Sequence, residues 1–341
     1  MSAEEDNFEN ISAKIAIVGM GGMGSNAINR LYNTQIKSAD TIAINTDVKH
    51  LSIIHAGKKL LIGKATTRGL GAGGFPEVAL KAAESSEDEI RAAIKGYDIL
   101  FLVAGMGGGT GSGTIPYVAK LGKEQGSLVV AFVTYPFSLE KSRKEKANES
   151  IAELSKNADS TIIIQNDKLL SYAPNLPIDK ALEAIDNIIL NSVRTITDTI
   201  SLPSLINLDF ADLRTILSNS GTAVINIGYG SGPDKIEKAI RSNREHPLMD
   251  ADIEGGKSAL VQVIGGQELT IDDATRLGEG VTDGLDSKAN VIFGARLSND
   301  MQDEVKVISI VTGVTPKLSN KVDFSKPAPN GSEFLTGLYK L

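Results

Sequence analysis

The segment with the clearest chemical character is a glycine-rich run that follows a predicted strand. Residues 104–113 read AGMGGGTGSG, and the residues after them have helical character. Closely spaced glycines let backbone N–H groups converge on an anion, and a helix that starts there adds its partial positive charge. The hydroxyls of Thr110 and Ser112 can add hydrogen-bond donors or contact a metal ion. The run therefore predicts a cradle for a di- or triphosphate.

Two further glycine-rich segments also follow predicted strands. Residues 18–24 read VGMGGMG and open a helix, and residues 67–74 read TRGLGAGG. Loops that follow parallel strands meet at the same edge of a sheet, so we expect the three segments to converge on one phosphate chain. The sequence contains no GxxxxGK[ST] pattern, so this cradle is not a P-loop.

The first of these two segments also permits a different ligand. Gly19, Gly21 and Gly24 match GxGxxG, and Asp47 ends the next strand, as in the fingerprint of dinucleotide-binding folds. An oxidoreductase that uses NAD is therefore an alternative. It leaves residues 107–113 unexplained, and no His or Lys constellation for hydride transfer is apparent in the sequence.

A pair of acids lies far along the chain from the glycine-rich segments. Asp209 and Asp212 are spaced i, i+3, which places both carboxylates on one side of a turn or at a helix start, and Asn207 precedes them. Such a pair can orient and polarise a water molecule for attack on a phosphate. Two acids in the first turn of a helix are also favoured by the helix dipole alone. Both interpretations are open at this point.

Short apolar runs indicate the strands that must position the glycine-rich segments. They alternate with helical stretches and are apolar throughout, as in strands buried on both faces of a parallel sheet. They lie near residues 14–18, 41–45, 59–62, 99–104, 128–134 and 161–164. The predicted fold class is α/β, with a Rossmann-like parallel-sheet domain over residues 13–176. Residues 1–12 are predicted to be a disordered acidic leader.

A long amphipathic helix separates this domain from a second pattern. Apolar residues recur at helical spacing over residues 177–203, between Pro177 and Pro203. Residues 204–315 then predict a smaller α+β domain that carries the acid pair at its start. Its strands are expected near residues 222–227, 259–264, 290–297 and 305–312, and its helices near 235–242 and 271–279. Residues 316–341 are predicted to be a flexible tail.

Composition and charge exclude several classes of function. The formal net charge of −7 argues against nucleic-acid binding, which needs clustered Lys and Arg. The absence of Cys excludes disulfides, thiol catalysis and Cys-ligated zinc. No apolar run approaches the roughly 20 residues that span a bilayer, and the acidic N-terminus is unlike a signal peptide. We therefore expect a soluble, cytoplasmic protein with no nucleic-acid partner and no direct membrane insertion.

The motifs together resemble those of a known family. Residues 107–113 are similar to the tubulin signature motif, in the form carried by the FtsZ cell-division GTPases. Other segments similar to that family follow in order, at residues 19–30, 45–47, 67–74, 133–137, 165–169 and 207–212. The resemblance implies a GTPase that polymerises head to tail into filaments and forms the division ring at mid-cell.

The resemblance also implies which residues hold GTP or GDP. The residues expected around the first helix and the phosphates are Gly21, Gly22, Ser25, Asn26, Asn45, Asp47, Ala72, Gly73, Gly74, Gly107, Gly108, Gly109, Thr110 and Gly111. Glu140 is expected at the ribose, and Asn166 and Asp186 at the guanine edge. One carboxylate can accept from both N1–H and N2–H of guanine, and adenine lacks that pair of donors. GTP should therefore be preferred over ATP.

Two positions depart from the family's pattern. The family has Glu-Gly-x-x-Arg, whereas Glu140 is followed here by Lys, Ser, Arg143 and Lys144. The cation on the phosphate side is therefore either Arg143 or Lys144, and a Lys loses the bidentate fork. The aromatic residue that often stacks on the base is replaced by Leu182, which can cover the ring without aromatic stacking. We expect a lower affinity for the base.

The long helix sets the distance between the two halves of the predicted site. About 22 helical residues span about 33 Å, with the phosphate loops at one end and Asp209 and Asp212 at the other. The acids cannot reach their own γ-phosphate, so they must act on a neighbour stacked head to tail. Mg²⁺ would offset charge, and Asn207 would help fix the loop. A scaffold that polymerises without turnover is the alternative.

The tail suggests a second partner besides further copies of the chain. It ends in an apolar cluster at residues 334, 335, 338, 339 and 341. In the family, such a tail carries a short peptide that docks on a membrane-tethering division protein. The alternative is a segment that packs back on the second domain. A paralogue of the division-ring protein with a different cytoskeletal role is the alternative for the whole chain.

Overall fold

The structure, a computed structural model, describes residues 13–34, 36, 38–168, 177–245 and 251–316. Its strands are β1 (Ile15–Met20), β2 (Asp40–Asn45), β3 (Lys58–Leu61), β4 (Ile99–Gly105), β5 (Leu128–Tyr135), β6 (Ser160–Gln165), β7 (Gly221–Ser231), β8 (Ala251–Asp252), β9 (Ser258–Gly265), β10 (Asn290–Leu297), β11 (Glu304–Thr312) and β12 (Thr315–Pro316). Its helices are α1 (Gly21–Asn33), α2 (Val48–Ile53), α3 (Lys64–Thr67), α4 (Pro76–Glu84), α5 (Glu87–Ala93), α6 (Thr110–Glu124), α7 (Lys141–Asn157), α8 (Ile178–Ser201), α9 (Phe210–Leu217), α10 (Lys235–Arg244) and α11 (Ile271–Thr282). The predicted leader and residues 317–341 of the predicted tail lie outside the described residues.

Ten strands form one sheet in the order β10-β9-β11-β7-β6-β5-β4-β1-β2-β3. Strands β1 to β6 are parallel to their neighbours, and apart from the edge strand β3 their apolar residues are buried on both faces. The chain runs from β1 outward to β3 and then returns to place β4 on the other side of β1. The loops after β1 and β4 therefore flank a topological switch point, where α/β sheets bind their ligands.

Helices cover both faces of the parallel strands. On one face, α1 and α8 bury apolar side chains against β1, β4 and β5, and on the other, α4 to α7 do the same. Burial of one such Ile, Leu or Val side chain contributes about 1.5–3 kcal/mol. These two layers hold the carboxyl ends of the parallel strands in fixed positions.

Helix α8 is the long helix that the sequence predicts. It has 24 residues, which corresponds to a length of about 36 Å. Ile188, Ile189 and Val193 are buried in a core shared with β1, β4, β9 and β11. The helix therefore packs against both halves of the molecule, and its two ends are held far apart.

The second half extends the same sheet. Strand β7 pairs in parallel with β6 at Ser160–Gly221 and Thr161–Thr222, whereas β11 is antiparallel to β7 and β9. Helices α10 and α11 cover one face of these strands with their own apolar core. The predicted α/β fold class is confirmed. The predicted domain boundaries stay a prediction, because the sheet is continuous across them. Among the described helices, none combines the length and apolar character that crossing a bilayer requires.

Candidate active site

A cleft of about 790 Å³ lies at the carboxyl ends of β1, β2, β4 and β5, beside the switch point. Its volume falls within the range of about 300–1,000 Å³ that is typical of small-molecule sites. Most of the predicted binding residues line it: Gly22, Asn26, Asn45, Asp47, Ala72, Gly73, Gly74, Gly108, Gly109, Thr110, Gly111, Glu140, Arg143, Asn166, Leu182 and Asp186. The three glycine-rich segments thus converge on one cavity.

The N-termini of two helices face this cleft. Helix α1 starts at Gly21 and α6 at Thr110, so both begin inside the glycine-rich segments. The two starts are in close contact, since a Cβ at Gly21 would lie 2.8 Å from the backbone nitrogen of Gly111. Free N–H groups and two helix dipoles make this end of the cleft suitable for an anion.

The third glycine-rich segment closes the same end. Positive φ angles occur at residues 68, 69, 71, 73 and 74, a density that requires glycine at most of these positions. Lys146 from α7 holds the segment, since its Nζ donates to the Gly74 carbonyl at 2.6 Å and lies 5.3 Å from the Phe75 ring centroid. Lys146 could not be predicted from the sequence, because the contact joins residues that are 72 positions apart.

Four predicted binding residues, namely Gly21, Ser25, Gly107 and Lys144, do not line the cleft. Gly21 contacts α6, and the Ser25 hydroxyl is buried and accepts from Asn45 Nδ2 at 3.4 Å. The Gly107 N–H donates to Ser112 Oγ at 2.8 Å, so the Ser112 hydroxyl shapes the loop. The contacts predicted between these four residues and a ligand stay predictions.

A buried carboxylate, that of Asp186, also lines the cleft. The Asp186 side chain is 7% exposed, and Arg30 Nε donates to its Oδ2 at 2.8 Å. Burial raises the pKa of Asp186 to about 6, although the Arg30 guanidinium opposes the shift. Glu183 also lies near Arg30, at 3.5 Å. The sequence motifs included Arg30 without pointing to its role as the partner of Asp186.

Asn166 follows β6 and also lines the cleft. Within the part of the chain that the structure describes, its Oδ1 atom is buried and has no hydrogen-bond partner. An unpaired buried acceptor costs about 1–3 kcal/mol, which a ligand that donates to it would recover. A free amide oxygen and a carboxylate in the same cleft suit a ligand that carries several N–H donors, as guanine does.

Arg143 and Lys144 are placed differently. Arg143 lines the cleft, and its guanidinium donates to Glu140 Oε2 at 2.5 Å. Lys144 instead donates to Ser138 Oγ at 2.9 Å and lies 3.7 Å from the buried carboxylate of Asp167. The Lys144 ammonium is thus already paired within the protein. Of the two candidate cations, Arg143 lines the cleft and Lys144 does not.

The cleft also contains residues that are not among the predicted binding residues. His50 is the most polar of them, and it contacts two predicted residues, Asn26 and Asn45. The others are largely apolar or small, namely Met20, Met23, Leu70, Gly71, Gly105, Met106, Thr134, Pro136, Phe137 and Ile185. The sequence carried no signal for His50, because α2 is too short to show a periodic pattern.

The predicted catalytic residues lie outside the cleft. Asp209 and Asp212 form a capping box at the start of α9, where each carboxylate accepts from the other residue's N–H at 2.9 and 3.0 Å. Asp186 lines the cleft from α8, and that helix continues to Ser201, about 22 Å further along its axis. Asn207 is exposed in the segment between the two helices.

The features that suggested a dinucleotide have structural roles. A Cβ at Gly19 would lie 2.1 Å from the Gly24 carbonyl oxygen, so these glycines allow α1 to pack closely on β1. The Asp47 carboxylate accepts from the backbone N–H groups of Lys49 and His50 at 2.9 and 3.1 Å and caps α2. The fingerprint residues therefore fit any nucleotide bound at this switch point and do not favour NAD.

Comparisons with known proteins identify the family. The family model for the GTPase domain of the Tubulin/FtsZ family matches residues 14–174, and that for the C-terminal domain of the FtsZ family matches residues 221–315. Cell division protein FtsZ 2 of Methanocaldococcus jannaschii is 48% identical over 313 residues, which cover 91% of this chain and 82% of that protein. Cell division protein FtsZ 2 of Haloferax volcanii is 44% identical and covers 92% of this chain and 78% of its own length.

Solved structures have the same fold. An FtsZ dimer from M. jannaschii matches with a TM-score of 0.82 and 38% identity, over 92% of this chain and 95% of that one. CetZ1 from H. volcanii, solved as a GDP-bound monomer, matches with a TM-score of 0.77 at 21% identity, over 96% and 99% of the two chains. The second match shows the fold alone. This chain belongs to the tubulin/FtsZ family and carries that family's GTPase domain.

Proposed function

We propose that this chain binds GTP in the cleft, assembles head to tail, and hydrolyses GTP at the contact between successive subunits. The observation that carries the proposal is the separation of the acid pair from the cleft by the rigid helix α8. A cleft that lacks Asp209 and Asp212 can receive them from a neighbour. A head-to-tail contact of this kind is heterologous, and repeated heterologous contacts build an open filament.

We assign guanine specificity to the part of the cleft wall that Asp186 and Asn166 form. Asp186 would accept from N1–H and N2–H of guanine, and Asn166 would direct its unpaired Oδ1 at the same edge. Arg30 holds the Asp186 carboxylate in place through its contact at 2.8 Å. Leu182, which is 46% exposed, would cover the base without stacking on it. This arrangement supports GTP over ATP as the substrate.

The phosphates would lie against the two helix N-termini and the segment of residues 68–74. Backbone N–H groups there would neutralise charge, together with Arg143. Mg²⁺ would offset the remaining charge when bound. The described residues contain no group of three or more acidic, His or Cys side chains that would hold a metal. The ion would therefore take its oxygens mainly from the phosphates, with the Thr110 hydroxyl as the candidate protein ligand.

Asp209 and Asp212 would act on the nucleotide of the next subunit. Each contributes one carboxylate oxygen to the capping box, which fixes both side chains and leaves the second oxygen of each outside the box. A pair of fixed carboxylates can orient a water molecule and accept its proton. Asn207 would help to hold the loop that carries these two acids in position. In this proposal the cap and the catalytic function use the same two residues.

The relatives support assembly and a role in division. The M. jannaschii FtsZ structure is a dimer, and the curated relatives are called cell division proteins. We therefore assign the filament to the division ring at mid-cell.

Residues 330–341 are the proposed docking peptide for a membrane-tethering protein. Deletion of these residues should leave GTP hydrolysis unchanged and remove the protein from mid-cell in cells that depend on it; unchanged localisation would refute the docking role.

The test of the proposed function is the dependence of hydrolysis on protein concentration. If the site is completed by a neighbour, GTP turnover per subunit should rise steeply with concentration and then reach a plateau, in parallel with light scattering from filaments. Turnover per subunit that is constant from nanomolar to micromolar protein would show that each monomer carries a complete site. A chain that releases NAD and no guanine nucleotide on denaturation would refute the proposed substrate.

A further inference from the structure

We propose that His50 is a positioning residue that orients the side-chain amide of Asn26 so that its NH₂ group donates to the bound nucleotide. His50 lines the cleft on α2 and lies between Asn26 of α1 and Asn45 at the end of β2. The inference rests on the proposed binding of a nucleotide in the cleft. It follows from the donors and acceptors around the imidazole, taken one at a time.

The orientation of the Asn45 amide is fixed by the backbone. Its Oδ1 accepts from the N–H groups of Thr46 and Asp47 at 2.8 and 3.2 Å. The Nδ2 group must therefore lie on the other side of the amide, where it is 3.4 Å from the buried Ser25 hydroxyl and 3.2 Å from His50 Nδ1. Because an amide NH₂ can only donate, His50 Nδ1 must be the acceptor.

This fixes the tautomer of His50. An imidazole that accepts at Nδ1 and is neutral carries its proton on Nε2. His50 Nε2 lies 3.0 Å from Asn26 Oδ1, and the Nε2–H group donates to that oxygen. The opposite orientation of the Asn26 amide would place an NH₂ group against an N–H group. The Asn26 Oδ1 atom is thus the acceptor of the hydrogen bond from His50.

The consequence is a defined donor on the wall of the cleft. With its oxygen held by His50, Asn26 presents two amide protons, and Asn26 is exposed and lines the cleft. The phosphate and ribose oxygens of a nucleotide are acceptors of such protons. Without His50 the amide could rotate freely, and an ordered donor would be replaced by one that must be oriented during binding.

The chain contains a matched control for this arrangement. His55 Nδ1 contacts Asn29 Oδ1 at 3.2 Å, so a second His is paired with a second Asn of α1. His55 also stacks on Tyr32, with ring centroids 6.3 Å apart. Neither His55 nor Asn29 lines the cleft. Removal of His55 therefore tests the effect of losing a similar contact that does not reach the ligand.

A double-mutant cycle with GDP tests the proposal. His50→Leu should weaken GDP binding about three- to tenfold, the effect of losing one oriented hydrogen bond. The same change in an Asn26→Ala background should have little further effect, because His50 acts through Asn26. His50→Gln, which keeps one donor and one acceptor, should recover most of the affinity, and His55→Leu should bind like the unmodified chain. Equal losses with and without Asn26 would overturn the proposal.

A measurement on the unmodified protein remains decisive if a variant does not fold. Long-range ¹H–¹⁵N NMR at pH 8 should show His50 as the Nε2–H tautomer, and the chain has only three His to assign. An Nδ1–H tautomer would overturn the inference. If the unmodified chain binds no guanine nucleotide, the proposed function fails. If it does bind and the His50→Leu variant binds equally well, only the role of His50 fails.

Discussion

The Asp186 side chain illustrates how a residue gains a function from its surroundings. In the sequence it occupies a polar position of an amphipathic helix, where a solvated side chain is the ordinary expectation. In the structure it is buried, paired with Arg30 and directed at the cleft. The resemblance to a family pointed to this residue. The burial and the partner could not be predicted from the sequence, because Arg30 is 156 residues away in the chain and the two meet only through the packing of α1 on α8.

The raised pKa of Asp186 predicts that guanine affinity depends on pH. Burial raises the pKa to about 6, so the carboxylate that accepts from guanine is present above pH 6 and is lost as the pH falls below it. GDP affinity should be constant from pH 7 to 8 and should fall by up to about tenfold per pH unit below 6. Fluorescence titration with a labelled GDP from pH 5 to 8 would measure this dependence of affinity on pH. Asp186→Asn should bind weakly at every pH, and a similar decline in that variant would assign the effect to another group.

The two cations of α7 should separate into different roles when each is removed. Arg143→Ala should weaken GTP binding several-fold with little change in thermal stability, since Arg143 is exposed and lines the cleft. Lys144→Ala should instead lower stability by about 1 kcal/mol, because Lys144 is paired with Ser138 and the buried Asp167. Calorimetry of unfolding and of GTP binding, performed on both variants, would distinguish the role in binding from the role in stability. The reverse pattern would transfer the phosphate-side role to Lys144.

The residues missed in the sequence share one property. His50, Lys146 and Arg30 each contact a partner on another element. His50 and Lys146 lie outside the sequence motifs, and the motif that contains Arg30 does not indicate its partner. Glycine-rich segments could be recognised because their chemistry is local: backbone N–H groups and positive φ angles are contained in a few consecutive residues. Side chains that position other side chains across elements carry no such local signal.

At the scale of elements, the helices α1 and α6 begin earlier than the sequence indicated. The sequence predicts helices after the glycine-rich segments 18–24 and 104–113, whereas in the structure the helices start inside those segments, at Gly21 and Thr110. Glycine disfavours a helix interior, so a propensity argument places the start after the last glycine. In these helices the first turn contains the glycines, because their bare backbone allows contact between the two helix starts. The proposed binding of phosphates and the position of the helix starts are thus linked.

Helix α9 offers a test that separates capping from catalysis. Asp212→Ala removes half of a capping box and should cost about 1 kcal/mol of stability while abolishing GTP hydrolysis and keeping GTP binding. Helix α11 provides the control, since Thr270 and Asp273 form the same kind of box. Asp273→Ala should lose a similar amount of stability with normal hydrolysis. Thermal unfolding and phosphate release, measured on both variants, would separate the capping role of Asp212 from its catalytic role. Normal hydrolysis by Asp212→Ala would remove that residue from the mechanism.

At the scale of the whole molecule, the sequence indicated two units, and the structure joins them through one sheet. The ten strands of the large sheet were located to within a few residues from their apolar runs, whereas the two-residue strands β8 and β12 were not predicted. The pairing of β6 with β7 was not predictable, since it rests on two residue pairs at the start of β6 and has no pattern of its own. The long helix was predictable because its apolar periodicity runs without interruption through 24 residues. Its length is the property from which the split site follows.

The central claim is that cleft and acids work together only between two subunits, and mixing two inactive variants tests it directly. Asp212→Ala subunits keep the cleft and lack an acid, whereas Asp186→Ala subunits keep the acids and lose guanine binding. Each alone should hydrolyse GTP very slowly. In an equimolar mixture about one contact in four joins an intact cleft to an intact acid pair, so turnover should recover to about a quarter of the unmodified rate. A mixture as inactive as its two components would contradict the account, because it would place the acids and the nucleotide within the same subunit.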